Sequence, residues 1–291
     1  NCGPSTWTVS NNMIVCTGIP TGLLRTDKQY ENYILDLEWR HMKKGGNSGL
    51  FIHSDPLPAT GSPFSRAIEV QVRDGDEGSI FPINGAFMTP PMPNPTGSNH
   101  ALPNEPRMKA QGEWNHYRVV SKDGTVSLEV NGSLVTHGYH LNPRKGYICL
   151  ESEGSEIHFR NIQIKELPSS NPHPDVVAEV DKGFRSLYNG IDLSGWKQVS
   201  GNAGHWQPNN WILEYDGKSE AEGEDKHLTS AHSYKDFSLI VDWRQNATPK
   251  FVNVPVILPD GSQAKDTNGN PVNAVVLDAG DSGIYLRGSS A

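Results

Sequence analysis

What most constrains this chain is the shape of its apolar runs. β-Branched and aromatic residues come in short stretches broken by turn chemistry, and the first 167 residues hold no sustained apolar period of 3.6. The runs Met13–Cys16, Tyr33–Trp39, Gly49–His53, Ala67–Val72, His116–Ser121, Thr125–Val130, Gly146–Leu150 and Glu156–Lys165 read as strands. Ser127-Leu128-Glu129-Val130-Asn131 alternates polar and apolar, as a strand with one wet face should. Lys122-Asp123-Gly124 and Asn131-Gly132 read as hairpin turns, with glycine supplying the positive φ. The 29 glycines and 21 prolines among 291 residues favour turns and short elements over long helices. The sequence therefore predicts an all-β chain, with eight or more strands before residue 167 and a sandwich architecture.

The length suggests two domains. A net charge of −8 argues against a nucleic-acid binder, which needs a basic stripe facing the phosphates. No apolar run reaches about 18 residues, so nothing predicts a membrane-spanning helix. The opening Asn-Cys-Gly-Pro carries no basic-then-apolar leader, so a signal peptide is expected to be removed or outside this sequence. Three cysteines are too few for a disulfide scaffold. Cys16 and Cys149 lie in strand-like runs and read as buried small hydrophobes, with a Cys16–Cys149 bridge as the alternative.

Leu167-Pro168-Ser169-Ser170-Asn171-Pro172-His173-Pro174 has the composition of a linker, which places boundaries at 1–167, 168–183 and 184–291. The last segment repeats the first. Trp7…Tyr30…Leu37-Glu38-Trp39-Arg40 returns as Trp206…Tyr234…Val241-Asp242-Trp243-Arg244, and Asn47-Ser48-Gly49-Leu50-Phe51 as Asp281-Ser282-Gly283-Ile284-Tyr285. A period above 200 residues means two homologous domains and not a solenoid. The second copy stops six residues past Tyr285, and the expectation is a fragment of a longer protein.

Several of these motifs converge. Phe184-x-Ser-Leu-Tyr-Asn-Gly-x-Asp-Leu-Ser-Gly-Trp196, the two Trp-Arg pairs, the Ser-Gly-(Leu/Ile)-(Phe/Tyr) turns, Glu69-Val-Gln71-Val-Arg-Asp74, Gly112-Glu-Trp-Asn115 and Phe159-Arg-Asn-Ile-x-Ile164 recur in a characteristic order. In that order the chain resembles the bacterial 3-keto-disaccharide hydrolase domain family, nearly complete over 7–167 and partial over 184–291. The resemblance implies a concanavalin A-like jelly-roll sandwich with a sugar-binding concave face. It also implies secretion or a periplasmic location, and action on glycosides oxidised at C3, by hydrolysis or by elimination and hydration. The chain departs from the family where Gln-x-His usually precedes the last strand and Glu151-Ser152-Glu153 stands here.

The residues themselves supply a site. On a strand, Glu69 and Gln71 share one face while Val70 and Val72 mark the other as core; Asp74 joins the first face only if a bulge shifts the parity. Two carboxylates on one face can act as acid and base, or as nucleophile and acid. A ketone at C3 acidifies the C2 hydrogen, so a modest base can remove it and expel the C1 substituent. The candidate catalytic residues are Glu69 as base, Gln71 and Asp74; the candidate binding residues are Arg40, Lys109, His53, Glu151 and Glu153. The competing reading of Glu69 is an ion pair with Arg66 or Arg73. Trp39 and Trp114 read as structural, and His116 as a surface histidine.

His137-Gly-Tyr-His140 reads as a polar loop, and there is no His-Glu-x-x-His motif. Calcium would need clustered oxygens, for which Asp74-Gly-Asp76-Glu77 and Asp278-Ala-Gly-Asp281 are incomplete candidates, so a divalent ion stays open. Walker, Gly-x-Gly-x-x-Gly and Gly-x-Ser-x-Gly motifs are absent. Pro82–Pro106, with seven prolines, reads as an ordered loop or lid. The leading expectation is an enzyme acting on a 3-keto-glycoside or oligosaccharide. A non-catalytic carbohydrate-binding module and an endo-β-glucanase using Glu69 with Asp74 are the alternatives.

Overall fold

The computed structural model describes residues 3, 5–94, 97–197, 204–209, 211–218, 227–245, 250–278, 280 and 282–287, in two compact units, 1–231 and 232–291. Cys2 and Asp281, both singled out in the sequence, lie outside the described residues.

The first unit begins with thirteen strands: β1 (Trp7–Ser10), β2 (Met13–Cys16), β3 (Gly22–Tyr30), β4 (Asn32–His41), β5 (Gly49–Ser54), β6 (Ala67–Gln71), β7 (Ile80–Ile83), β8 (Phe87–Thr89), β9 (Asn115–Lys122), β10 (Thr125–Val130), β11 (Ser133–Asn142), β12 (Gly146–Ser152) and β13 (Ile157–Leu167). They form two antiparallel sheets in a jelly-roll sandwich, one in the order β1-β2-β13-β4-β9-β10-β11-β8 and one in the order β3-β12-β5-β6-β7. All eight expected runs are strands. The two expected hairpins close with Lys122 opposite Thr125 and Val130 opposite Ser133, and Asp123, Gly124, Asn131 and Gly132 all take positive φ.

Alternation decides what is buried. Tyr33, Leu35, Leu37 and Trp39 of β4 face inward and are 2% exposed or less, against Leu50 and Ile52 of β5 and Ile68 and Val70 of β6. Each such side chain contributes about 1.5–3 kcal/mol when fully removed from water. The five-stranded sheet also covers a small apolar cluster on its outer face, Phe51, Ala67 and Cys149, with Phe64 and Ile83 packed against it. Cys16 belongs to the interior core and Cys149 to this outer cluster; both are buried, on different faces of the five-stranded sheet, so the Cys16–Cys149 bridge does not form.

The structure corrects one expected loop and the first part of another. His137–His140 lies within β11, where Gly138 leaves room for Met88: a Cβ there would fall 2.4 Å from its Sδ. The proline-rich stretch includes the last two residues of β7 and all of β8, while its described residues from 90 to 106 belong to no named strand. Pro82 is tolerated because β7 is an edge strand and needs one ladder fewer of N–H donors.

Residues 168–183 pack on the sandwich. Two single 3₁₀ turns, Pro174–Val176 and Glu179–Asp181, bracket buried Val177 and Ala178, and Ser169 Oγ donates to Glu31 Oε1 at 2.8 Å. Beyond them, β14 (Trp196–Lys197) pairs with β17 (Thr229–Ser230), and β15 (Trp206–Asn209) with β16 (Ile212–Tyr215). The Trp206–Tyr215 hairpin has the register of the Trp7–Cys16 hairpin, a local echo of the sequence repeat. Trp211 is 5% exposed, and its Nε1 donates to Glu166 Oε2 at 2.9 Å.

The second unit pairs β18 (Lys250–Pro255) with β19 (Asn273–Asp278). The segment ending at Trp243-Arg244, which repeats the sequence at the end of β4, forms no strand: residues 238–245 have no ladder, and Trp243 is 77% exposed. A strand is stabilised by a partner's backbone, and the described residues supply none at that stretch.

Candidate functional site

The outer face of the five-stranded sheet carries a cavity of about 300 Å³. Strand parity places the polar residues there. Ile68 and Val70 fill the core, so Glu69 and Gln71 point the other way; Leu150 pairs with Leu50, which sets Glu151 of the next strand but one beside Gly49. Gly49 stands between them on β5. A Cβ at Gly49 would lie 2.7 Å from Glu69 Oε1 and 2.9 Å from Glu151 Oε2, which bounds the separation of those oxygens at about 5.6 Å. The missing side chain is what lets two carboxylates approach over the central strand.

The neighbouring groups hold this arrangement. Ser48 Oγ donates to the Glu151 carbonyl at 2.8 Å, and Asn47 Nδ2 donates to Glu153 Oε2. Gln71 Oε1 accepts from Val72 N at 2.9 Å, which leaves its NH₂ group to face the cavity. Phe64, Phe81 and Ile83 give the opposing apolar wall; Asn84 Nδ2 ties down the loop that carries Ser62 and Phe64 by donating to the Phe64 and Ser65 carbonyls.

The electrostatics follow from burial. Glu69 is 7% exposed and Glu151 1%, and Glu151 Oε2 is buried without a partner. Desolvation raises both carboxyl pKa values well above the ordinary range; the charges of Glu153 and Asp76 add to this at Glu69, and those of Glu69 and Glu153 at Glu151. Glu153, half-buried, is also raised by desolvation, although Arg73 and Asn47 pull it back. Two like groups this close titrate as a unit that keeps a proton into the neutral range.

The structure thus brings together four of the eight expected residues: Glu69, Gln71, Glu151 and Glu153. The other four are elsewhere. Asp74 lies past the end of β6, where its Oδ2 accepts from Gly45 N at 2.6 Å, and it lines a second cavity with Lys109. The bulge that would have turned Asp74 toward Glu69 is absent, so the two do not form a glucanase-like pair. Arg40 projects from the outer face of the eight-stranded sheet, bonded to His158 Nδ1 and stacked on Trp114. His53 has φ 55°, which reverses its parity and turns the ring into the core against Ser121 Oγ at 2.8 Å. Burial there holds the imidazole neutral, with its pKa lowered to about 3.

Asn47, Gly49, Phe64, Phe81 and Asn84 were not expected in the site. Gly49 carried a readable signal, since a glycine inside an apolar strand marks a close approach. Neither alternative partner takes Glu69: Arg66 lies against Asp55 and Arg73 acts on Glu153. As for calcium, the carboxylates of Asp74, Asp76 and Glu77 bond Gly45 N, Ser79 Oγ and Gly75 N, and the described residues contain no cluster of three His, Cys, Asp or Glu with metal-binding geometry.

Comparison with known proteins yields one curated relative, a 3-keto-disaccharide hydrolase of Bacteroides thetaiotaomicron, 24% identical over 217 residues and matched over 56% of this chain and 71% of the relative. Among solved structures, a candidate glycosyl hydrolase of Parabacteroides distasonis is 24% identical, covers 56% of this chain and 84% of its own, and superposes with a TM-score of 0.42. The carbohydrate-binding module CBM66 of Bacillus subtilis is 12% identical over 57% of this chain and 92% of its own, with a TM-score of 0.42. The sequence profile of one domain family matches residues 2–165 and again 183–290. The chain belongs to the 3-keto-alpha-glucoside-1,2-lyase-like domain family.

Proposed function

We propose that this protein is a carbohydrate-active enzyme, glycosyl hydrolase-like in character, that cleaves the glycosidic bond of sugars oxidised at C3 outside the cytoplasm. The observation that carries the reading is the Glu69–Glu151 pair across Gly49, buried, close together and open to one cavity. Membership of the family and the curated Bacteroides relative support the substrate class.

The chemistry balances on the pair alone. The ionised carboxylate, assigned to Glu69, takes the C2 proton that the neighbouring ketone acidifies. The electron pair left on C2 closes the C1–C2 double bond as the C1–O bond breaks. The protonated partner, Glu151, gives its proton to the departing glycosidic oxygen, so the pair ends with the proton count it began with. The Gln71 NH₂ donates to the C3 oxygen as negative charge builds on it. Addition of water to the resulting enone completes net hydrolysis.

The test is to incubate the full chain with matched 3-keto and unoxidised disaccharides and follow the released sugar. Release from the keto sugar alone, lost in a folded Glu69→Gln variant, is the expected result. Turnover unchanged in that variant removes Glu69 as the base. Binding of either sugar without turnover would make the protein a carbohydrate-binding module.

A further inference from the structure

A second cavity, of about 190 Å³, opens beyond the end of β4, and its lining is of opposite character to the glutamate site. Lys43, Lys44 and Lys109 border it, against the single carboxylate of Asp74. That concentration of ammonium groups stands out in a chain of net charge −8. No ion pair engages any of the three lysines among the described residues, although Lys109 Nζ donates to the Trp114 carbonyl at 3.0 Å. Asp74 is already held by the Gly45 N–H.

The second observation is independent of these surface charges. Trp39 lines the same cavity, is fully buried, and its Nε1 has no hydrogen-bond partner. An indole N–H can only donate, so the one group that satisfies it is an acceptor. A buried donor bordered by three lysine side chains is the chemistry of an anion site, because a charge-assisted bond satisfies the donor while the ammoniums neutralise the charge. The volume is several times that of a water molecule, yet below the range of pockets that enclose larger ligands. It suits a small oxyanion head.

We propose that this cavity binds a small oxyanion, a carboxylate or a sulfate, through Trp39 Nε1 and the ammonium groups of Lys43, Lys44 and Lys109. The site is separate from the glutamate cavity, and the proposal does not depend on the reaction assigned there. The loop between β4 and β5 serves both, giving Lys43 and Lys44 to one and Asn47 to the other.

The test uses the full chain labelled with ¹⁵N at its seven tryptophans. It is titrated separately with sodium sulfate, sodium glucuronate, glucose and sodium chloride at matched ionic strength. The expected result is a saturable shift of one indole N–H resonance, identified as that of Trp39 by its loss in Trp39→Phe, with sulfate or glucuronate and not with glucose or chloride. Glucuronate alone would mark a carboxylate-bearing sugar as the ligand; sulfate alone would mark a sulfate group. The exposed double variant K43A/K44A, which leaves the core untouched, should weaken binding about tenfold. No saturable shift, the same shift with glucose, or binding unaffected in K43A/K44A (an adventitious ion only) would overturn the proposal.

Discussion

Replacing Glu151 by glutamine should flatten the dependence of stability on pH. In the unfolded chain the Glu151 carboxyl titrates near its ordinary value of 4.5; in the folded protein burial and the nearby charges of Glu69 and Glu153 raise it. A carboxyl with a raised folded pKa favours the native state while protonated. Its contribution is therefore fully present below pH 4.5 and is lost as pH rises toward the folded value. Across that window the native protein holds one more proton than the unfolded chain, which lowers stability by about 1.4 kcal/mol for each pH unit. Between pH 5.5 and 7.5 the wild type should lose roughly 3 kcal/mol to this group, a loss the glutamine cannot show. Glutamine keeps the size and the hydrogen-bonding capacity, so the two proteins should be close in stability at pH 5 and diverge above it. For a sandwich of this size the divergence corresponds to about 6–12 °C in Tm. Urea or thermal unfolding of both proteins at pH 5, 6, 7 and 7.5 gives the two slopes. Their difference cancels the titrating groups that lie apart from Glu151, such as buried His53, and leaves Glu151 with the neighbours coupled to it. Parallel slopes would refute the account of Glu151 as a buried, proton-holding acid.

Three further outcomes follow from particular contacts. Gly49→Ala puts a methyl group within 3 Å of both glutamate oxygens, so turnover of the 3-keto substrate should fall about a hundredfold while Tm moves only a few degrees; wild-type activity would show that the close approach is not required. Cys149, with burial pushing its thiol up to about 11, should resist iodoacetamide at pH 8 until the protein unfolds, as peptide mass mapping would show. Trp211→Phe removes the donor to Glu166 Oε2 and should destabilise the first unit by about 1–2 kcal/mol in urea unfolding.

The strands that were legible in the sequence share one property: each is an apolar or alternating run that ends on a turn residue. Those that were not legible lack it. β3 carries Arg25-Thr26-Asp27-Lys28 and β7 contains a proline, while the polar face of β11 resembles a loop. Their strand character comes from neighbours in the sheet, which a single sequence does not display. The site was half legible for the same reason. Parity alone put Glu69 and Gln71 on one face, and the Glu151-Ser152-Glu153 departure proved to lie on that face too. His53 escaped because one residue with positive φ reverses its direction, and Asp74 because β6 ends three residues earlier. Gly49 was visible throughout as part of a motif; its role needed the strands on either side.

The buried pair Val177 and Ala178 bears on how this molecule can be divided. Gly124, at the tip of the β9–β10 hairpin, lies under the preceding residue: a Cβ there would stand 3.2 Å from the Val176 carbonyl. Arg144 reaches toward Asp181, and His140 bonds the Asp175 carbonyl. A chain trimmed at the last strand of the sandwich would uncover that hairpin and leave Glu31 without Ser169. Expression of the sandwich by itself should therefore extend through residue 183, and any shorter version should melt earlier for reasons unrelated to its chemistry.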